Sequence, residues 1–454
     1  MQNRFLLGIS VGESFAEFSL LSGDEPLAHK RIFLARENLK SSLQQFLAEH
    51  HDKVPQKVFI SLRFSEKLLD QRFSGAIAQV TTEGFENWLN LRREPKFSLN
   101  NKDLSFAVNE RVRADGSVEK SLDIAELEAI ATKLQLVQCK KICLYFLHSN
   151  TNPLHINTAR SFFLEKGFEV FTPERTDNSD EVSRWNKNSL NAAISGVIEE
   201  LQKDLAEALN SIPSENIHYV SSEGKLFERD AKDNPLSSLF SLYTALAQTY
   251  ATKDASDILY LGLESFVLIS GNKWNKIWQS PWGETEVSHP WVTKLKLQPT
   301  SGLDLNVFER VDFLSRNEGW EPGPMFLGRG QKLTLLDLWS ENTKLAKVPG
   351  LEDRIAASGV QRFKNSLLAL SKISRNHNND QSHVIKDLQS LAIQRMALQS
   401  RLDRQNERIV VTGPLAEIFG NAFKKDKKAK VVPQAFTDAT ATALMGLRQL
   451  KDQR

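Results

Sequence analysis

Two short stretches of this chain carry residue types that bear on phosphate chemistry, and both depart from a working phosphate site in the same way. The first is Gly8-Ile9-Ser10-Val11-Gly12-Glu13-Ser14-Phe15-Ala16-Glu17, and the second is Ile258-Leu259-Tyr260-Leu261-Gly262-Leu263-Glu264-Ser265-Phe266. Each reads as an apolar strand, a glycine turn and a second apolar strand. Such a turn grips phosphate when paired glycines let backbone N–H groups approach the oxygens and a strand-end carboxylate holds Mg²⁺. Here Ser10 and Tyr260 stand where those carboxylates would be, and Glu13 and Leu263 take the second glycine positions. A carboxylate about 4 Å from a phosphate oxygen costs several kcal/mol even at an effective dielectric of about 20. Glu13 and Glu264 therefore argue against ordinary phosphate binding. They are expected to be solvated turn residues, the alternative being metal ligands at shifted positions.

The elements that would position these turns alternate between strand and helix. Residues 4–11 and 16–21 form a strand pair broken at Gly12, and Leu27–Leu34 supplies a third strand. Leu39, Leu43, Phe46 and Leu47 recur at helical spacing within Glu37–His50. Strands at Val58–Leu62 and Ala76–Thr81 flank a short helix at Ser65–Phe73, and residues 95–120 are polar and irregular. Two helix–strand units follow: Leu122–Leu134 with Ile142–Leu147, then Asn157–Lys166 with Gly167–Phe171. A long helix over Asn186–Leu209 links the halves, and a helix at Leu236–Tyr250 delivers the chain to the second turn. The remainder is largely helical from Gly359 to Arg401, with a loop at Arg375–Ser382, and closes with a strand at Ile409–Thr412 and a helix at Asp438–Leu447. This order predicts mixed α/β layers and an old duplication of one αβ domain.

The bulk numbers set limits. At 454 residues, two or more domains are expected. A hydrophobic content of 41% and a charged content of 25% are those of an ordinary globular protein. The net charge of +2 argues against bulk attraction to nucleic acid or membrane. No apolar run reaches the ~20 residues that span a bilayer, and the opening MQNRFLLGISVGESF reads as a strand, not a signal peptide. Cys139 and Cys143 do not make a disulfide framework, so a cytoplasmic location is expected.

Four stretches in register resemble the hydantoinase A/5-oxoprolinase family, whose relatives include acetone and acetophenone carboxylase subunits. Val80-Thr81-Thr82-Glu83-Gly84-Phe85 with Leu89-Asn90-Leu91-Arg92-Arg93 is similar to its T-T-x-G-F and L-x-I-G-R stretch. Phe146-Leu147-His148-Ser149 with Asn152-Pro153 and His155 resembles L-L-H-S-x-x-N-P-x-H. Pro322-Gly323-Pro324, Leu327-Gly328-Arg329-Gly330, Leu333-Thr334 and Asp337 resemble P-G-P-x-x-Y-G-R-G-G-x-x-T-x-x-D, and the opening hairpin resembles G-I-D-V-G-G-T-F-T-D. The resemblance implies two duplicated, actin-like (ribonuclease H-type) α/β domains around a cleft with helical additions. The expected division is residues 1–180, like the family's N-terminal region, and 181–454, like its hydantoinase A part.

Active members of that family use ATP to open a cyclic amide. Phosphorylating the amide oxygen supplies a leaving group, and that transfer depends on positioning and charge neutralisation. By resemblance, Gly12, Ser14, Gly262, Ser265 and Gly413 are vestigial phosphate and adenine loops. The expected state is a diverged family member with no cofactor, serving as a binding or assembly subunit; ATP and Mg²⁺ enter only if the site has been rebuilt. The alternatives are an active ATP-dependent hydantoin or oxoproline hydrolase or ketone carboxylase subunit, and an actin-like scaffold. A hydantoinase B-like chain or a homo-oligomer is the partner implied, with no nucleic acid and no membrane.

Other candidate groups have bland readings beside sharper ones. Glu13, Glu264, His148 and Arg329 are the cleft candidates; His148 and His155 are expected to cap the strand and the following helix. Arg329 offers an anion a fork of donors or shapes its Gly-Arg-Gly turn. Trp274, Trp278, Trp282 and Trp291 are expected in a β-rich core, the alternative being a binding platform. The lysine run at 424, 425, 427, 428 and 430 reads as an exposed loop face, and His377 and His383 lack ligand spacing.

Overall fold

In the computed structural model the described residues are 5–64, 76–89, 102–174, 180–228, 235–253, 255, 257–280, 282–315, 324–328, 330–342, 345–352, 354–374, 381–400, 408–423, 429–431 and 438–452. Apolar runs bounded by turns build the first sheet. β1 (Phe5–Val11), β2 (Phe15–Ser22) and β3 (Glu25–Phe33) are antiparallel neighbours, with β1 and β2 buried along almost their full length. Asn38 accepts the N–H of Ser41 and so starts α1 (Leu39–Glu49), which lays Leu39, Leu43 and Phe46 into the core. β4 (Lys57–Leu62) returns parallel to β1.

A separate, wholly parallel sheet is then inserted. Its elements are β5 (Ile77–Thr82), β6 (Ser105–Val108), a small hairpin of β7 (Arg111–Val112) and β8 (Val118–Lys120), α2 (Ile124–Leu136), β9 (Lys141–Tyr145), α3 (Leu154–Glu165) and β10 (Glu169–Phe171). The strand order is β10-β9-β5-β6. The chain leaves through α4 (Glu181–Ala208), capped by Asp180, and returns to the first sheet with β11 (Ile217–Val220) and β12 (Leu226–Glu228). That sheet is ordered β12-β11-β4-β1-β2-β3.

The second half repeats the first. α5 (Ser241–Tyr250) precedes β13 (Asp257–Leu261), β14 (Phe266–Ser280) and β15 (Gly283–Lys294). A hairpin of β16 (Gly302–Leu305) and β17 (Val311–Ser315) and the helices α6 (Ala357–Ile373) and α7 (Gln381–Gln399) intervene. β18 (Ile409–Thr412), α8 (Ala416–Phe423), β19 (Ala429–Val431) and α9 (Asp438–Asp452) complete it. The sheet order is β15-β14-β13-β18-β19. Setting β12 aside, both sheets place their strands third, second, first, fourth, fifth, the first three antiparallel and the last two parallel to the first. The fold is therefore α/β, with duplicated actin-like domains of ribonuclease H type and helical additions.

Several expectations shift. Residues 95–120, read as irregular, contribute β6 to β8; these strands are short and half exposed, so they carry no clear alternation. The linking helix begins at Glu181, not Asn186, because its polar first turn lacks apolar periodicity while Asp180 supplies the cap. The helix expected at Ser65–Phe73 lies outside the described residues. Among the described residues no helix is long and apolar enough to cross a membrane.

Three features join the halves. α9 crosses the first sheet so closely that a Cβ on Gly8 would lie 1.9 Å from the carbonyl oxygen of Ala439. Hydroxyl pairs Ser19–Thr440 and Ser61–Thr442, each at 2.6 Å, fasten it there. The β14–β15 arm reaches out of the second sheet and inserts Trp278, Trp282 and Val287 into the core formed by Phe18, Phe46 and Leu190. Trp278 meets Phe240 edge-on at 5.6 Å. The core reading of the tryptophans thus holds for Trp278 and Trp282 only; Trp274 and Trp291 are 38% and 48% exposed. The long arm carries its inner positions into the core and leaves the others in solvent. Trp282→Ala should cost about 3–5 kcal/mol in urea unfolding, as for a large buried side chain. Trp291→Ala should stay within about 0.5 kcal/mol, and equal losses for the two would refute the anchored arm.

Candidate functional site

The two turns have the same local construction. Gly12–Phe15 joins β1 to β2 and Gly262–Ser265 joins β13 to β14; the first glycine N–H donates to the fourth carbonyl at 2.9 and 3.0 Å respectively. Both glycines are needed for close approach. A Cβ on Gly12 would lie 3.3 Å from Arg63 Nη2, and one on Gly262 would lie 2.9 Å from Tyr260 Cε1. Gly413, after β18, takes φ +101°, and a Cβ there would lie 2.8 Å from the Leu261 carbonyl oxygen. Gly12, Ser14, Gly262, Ser265 and Gly413 therefore all lie in the turns that meet these strand ends. Ser265 contributes its carbonyl oxygen to the second turn.

What lies between the turns departs from expectation. The Ser14 N–H donates to Glu264 Oε1 at 2.7 Å, and Arg63 Nη2 donates to Glu264 Oε2 at 2.7 Å. The side chains of Arg63 and Glu264 are only 6% and 7% exposed. Glu264 is thus a buried, doubly hydrogen-bonded carboxylate and not a solvated turn residue. Burial pushes its carboxyl group up, but the Arg63 charge and the hydrogen bonds from Ser14 and Arg63 outweigh burial and hold it below the usual glutamate range. Arg63 is fixed by its own N–H donating to Val11 O at 3.0 Å and by its guanidinium 5.4 Å from the centroid of the Tyr260 ring. Glu13 is half-buried and faces the same guanidinium electrostatically.

The replacements at the former carboxylate and glycine positions have structural employment. Leu263 is fully buried in the core of the second half. Ser10 is buried opposite Glu17 in the β1–β2 ladder. The Tyr260 hydroxyl donates to Asp438 Oδ2 at 2.7 Å. Burial, then the nearby Glu17 charge, pushes the Asp438 carboxyl group up to about 8. Glu17 in turn accepts from Arg31 Nε at 2.6 Å and from the Ala439 N–H at 3.4 Å, at the start of α9. Arg31 Nη1 and Nη2, Arg63 Nε and Asp438 Oδ1 are buried without a hydrogen-bond partner.

The histidines belong to a different place, the carboxyl-end edge of the inserted parallel sheet. His148 adopts φ +55° just past β9. Its N–H donates to Glu181 Oε1 at 3.0 Å and its carbonyl accepts from Thr151 and Asn152. His155 Nδ1 lies 2.7 Å from Glu110 Oε2, Glu110 also bonds the Thr82 hydroxyl, and Thr82 Oγ1 accepts the Leu147 N–H at 3.1 Å. These bonds tie β5, β9 and α3 together, but neither histidine side chain caps the helix, whose N-cap is Pro153 without a side-chain bond. Asp337 similarly holds its own loop, accepting from Phe326 N–H and from the Thr334 N–H and hydroxyl. Arg329, His377 and the lysines at 424, 425, 427 and 428 lie outside the described residues. Among the described residues no three ligating side chains converge as a metal would require.

Arg63, Asp438 and the Glu17–Arg31 pair are the site residues that sequence reasoning missed. One signal was available for Arg63: a charged residue directly after the apolar run Val58–Leu62, at the end of a strand parallel to β1.

Comparison with known proteins bears on this arrangement. Residues 36–167 match the family described as Hydantoinase/oxoprolinase N-terminal region. An uncharacterised protein of Methanocaldococcus jannaschii is 26% identical over 207 residues, which is 41% of this chain and 30% of that relative, so the match spans well under half of the relative's length. Among solved structures, the nucleotide-free structure of an acetone carboxylase, from work on the mechanism of ATP-dependent acetone carboxylation, superposes with a TM-score of 0.71 at 14% identity, covering 98% of this chain and 70% of that one. The ATP-dependent caprolactamase of Pseudomonas jessenii gives a TM-score of 0.68 at 16% identity, covering 97% and 70%. At such identities these likenesses establish the fold.

The Asp438 shift has a signed consequence for stability. Its folded value of about 8 lies above the ordinary 3.8, so its contribution is fully present below the unfolded value and is lost as pH rises through the folded one. Asp438→Asn, which keeps an acceptor for Tyr260 and stays neutral, should therefore gain stability relative to wild type as pH rises from about 4 to about 8. Parallel Tm–pH curves for the two proteins would show that Asp438 does not titrate in this way.

Proposed function

The chain is a relative of the hydantoinase/oxoprolinase family with an actin-like fold, and from that premise we propose that it is a diverged binding or assembly subunit without the family's nucleotide chemistry. One observation carries this reading: the carboxylate of Glu264 already occupies the Ser14 N–H that a phosphate oxygen would need. A phosphate oxygen brought within about 4 Å of that carboxylate would meet repulsion of about 4 kcal/mol at an effective dielectric of 20. Neither strand end offers magnesium a carboxylate, since Ser10 is buried in the ladder and Tyr260 is engaged with Asp438. The residues present therefore do not fit Mg²⁺-ATP.

The assembly side of the reading rests on what the scaffold keeps. The likeness to the acetone carboxylase and caprolactamase chains extends over 98% and 97% of this one, which supports a scaffold kept whole while the turns are altered. A hydantoinase B-like chain or a second copy is the partner this reading favours. Two buried cysteines without a disulfide, Cys139 and Cys143, are in keeping with a cytoplasmic setting.

The test is a thermal melt of the wild-type protein with Mg²⁺-ATP. A nucleotide bound by the folded state at a hundred times its Kd would add about 2.7 kcal/mol of stability. The expected result is an unchanged Tm across nucleotide concentration. A Tm that climbs with nucleotide and magnesium would overturn the reading in favour of an ATP-dependent cyclic amide hydrolase or carboxylase subunit.

A further inference from the structure

Arg63 is not accounted for by loss of function alone. A site simply abandoned would be expected to fill with apolar side chains, because a buried ion pair gains little over a hydrophobic replacement. Instead an arginine has its guanidinium fixed beside the first turn, stacked on Tyr260. The donors converging on Glu264 are one backbone N–H and one guanidinium N–H. Arg63 Nε is buried with no hydrogen-bond partner, a further donor at the same group. Backbone amide plus arginine fork is the donor set that recognises a tetrahedral oxyanion. It needs no metal, since the guanidinium supplies the positive charge.

We propose that the first turn and Arg63 form a metal-independent oxyanion site of phosphate type, and that its resident ligand is the protein's own Glu264 carboxylate. Glu264 stands on the opposite turn, on a chain segment held by the β13–β14 ladder and the Gly262–Ser265 bond. Being tethered, it is present at high effective concentration and excludes a free anion by competition without any change in the donors. The side chain thus both fills the site and fastens the two turns across the cleft. Occupation by phosphate requires that Glu264 swing away, so the anion and the cross-cleft contact are mutually exclusive.

The inference rests on the reading that the wild-type cleft holds no nucleotide, and the two fail separately. The experiment titrates inorganic phosphate into wild type, Glu264→Ala and the double variant Arg63→Ala/Glu264→Ala, by calorimetry in the presence of EDTA. Glu264→Ala should bind phosphate at least about ten-fold more tightly than wild type, and the double variant should lose the gain. Glu264→Gln, which keeps the side-chain volume and removes the charge, carries the same test should the alanine variant fail to fold. Binding by either single variant that survives EDTA and disappears with Arg63 supports the site. Absence of binding in the folded variant, binding that depends on magnesium, or equal binding in the double variant overturns it. A wild-type response to Mg²⁺-ATP would instead strike at the functional reading above.

Discussion

A carboxylate stays ionised in a protein interior only where its environment repays the loss of water, and here that condition is met by groups drawn from distant parts of the chain. Glu264 takes an amide proton from a residue 250 positions away and a guanidinium from one 201 positions away. Removing either partner alone would strand a charge out of water, which is the costly half of any buried pair. The close approach of Gly12 and Gly262 to their neighbours follows from the same requirement, because side chains there would push the partners apart. Tyr260, Asp438, Glu17 and Arg31 extend the polar region beneath it into the start of α9. The cleft is thus organised around protein charges that neutralise one another.

Much of the architecture was legible because it rests on local pattern. β1, β2, β4, β13 and β18 are short apolar runs bounded by glycine or polar turns, and α1 shows regular apolar spacing. The duplication was readable from two similar turns, and the identical strand order of the two sheets is its structural counterpart. Helix starts were misplaced where a polar first turn hid behind its cap, as at Asp180.

The cleft chemistry was far less legible. Sequence shows that a glutamate follows a glycine turn; it does not show that an arginine two hundred positions earlier arrives beside it. On its own, Glu264 in a turn reads as solvated, and only the approach of β4 to β1 turns it into a buried ion pair. The tryptophans repeat the lesson. Four residues of one type within one span divide between core and solvent according to how the β14–β15 arm lies against α4 and α5. The histidines, expected to cap, do not: His155 lies inside α3 and turns its ring to Glu110, a partner from a distant loop that local sequence could not indicate.

The arm and the terminal helix bear on the order in which this molecule is made. The first half is synthesised first, yet its core includes Trp278, Trp282 and Val287, and its sheet is covered by residues 438–452. A growing polypeptide therefore carries the first sheet with an uncovered apolar face until residues 438–452 have been made. The inserted parallel sheet, with one face packed among residues 78–168 and the other on Trp185 and Ala192 of α4, needs nothing from the second half. It is the part best placed to fold on the ribosome, ahead of the two domains between which it is threaded.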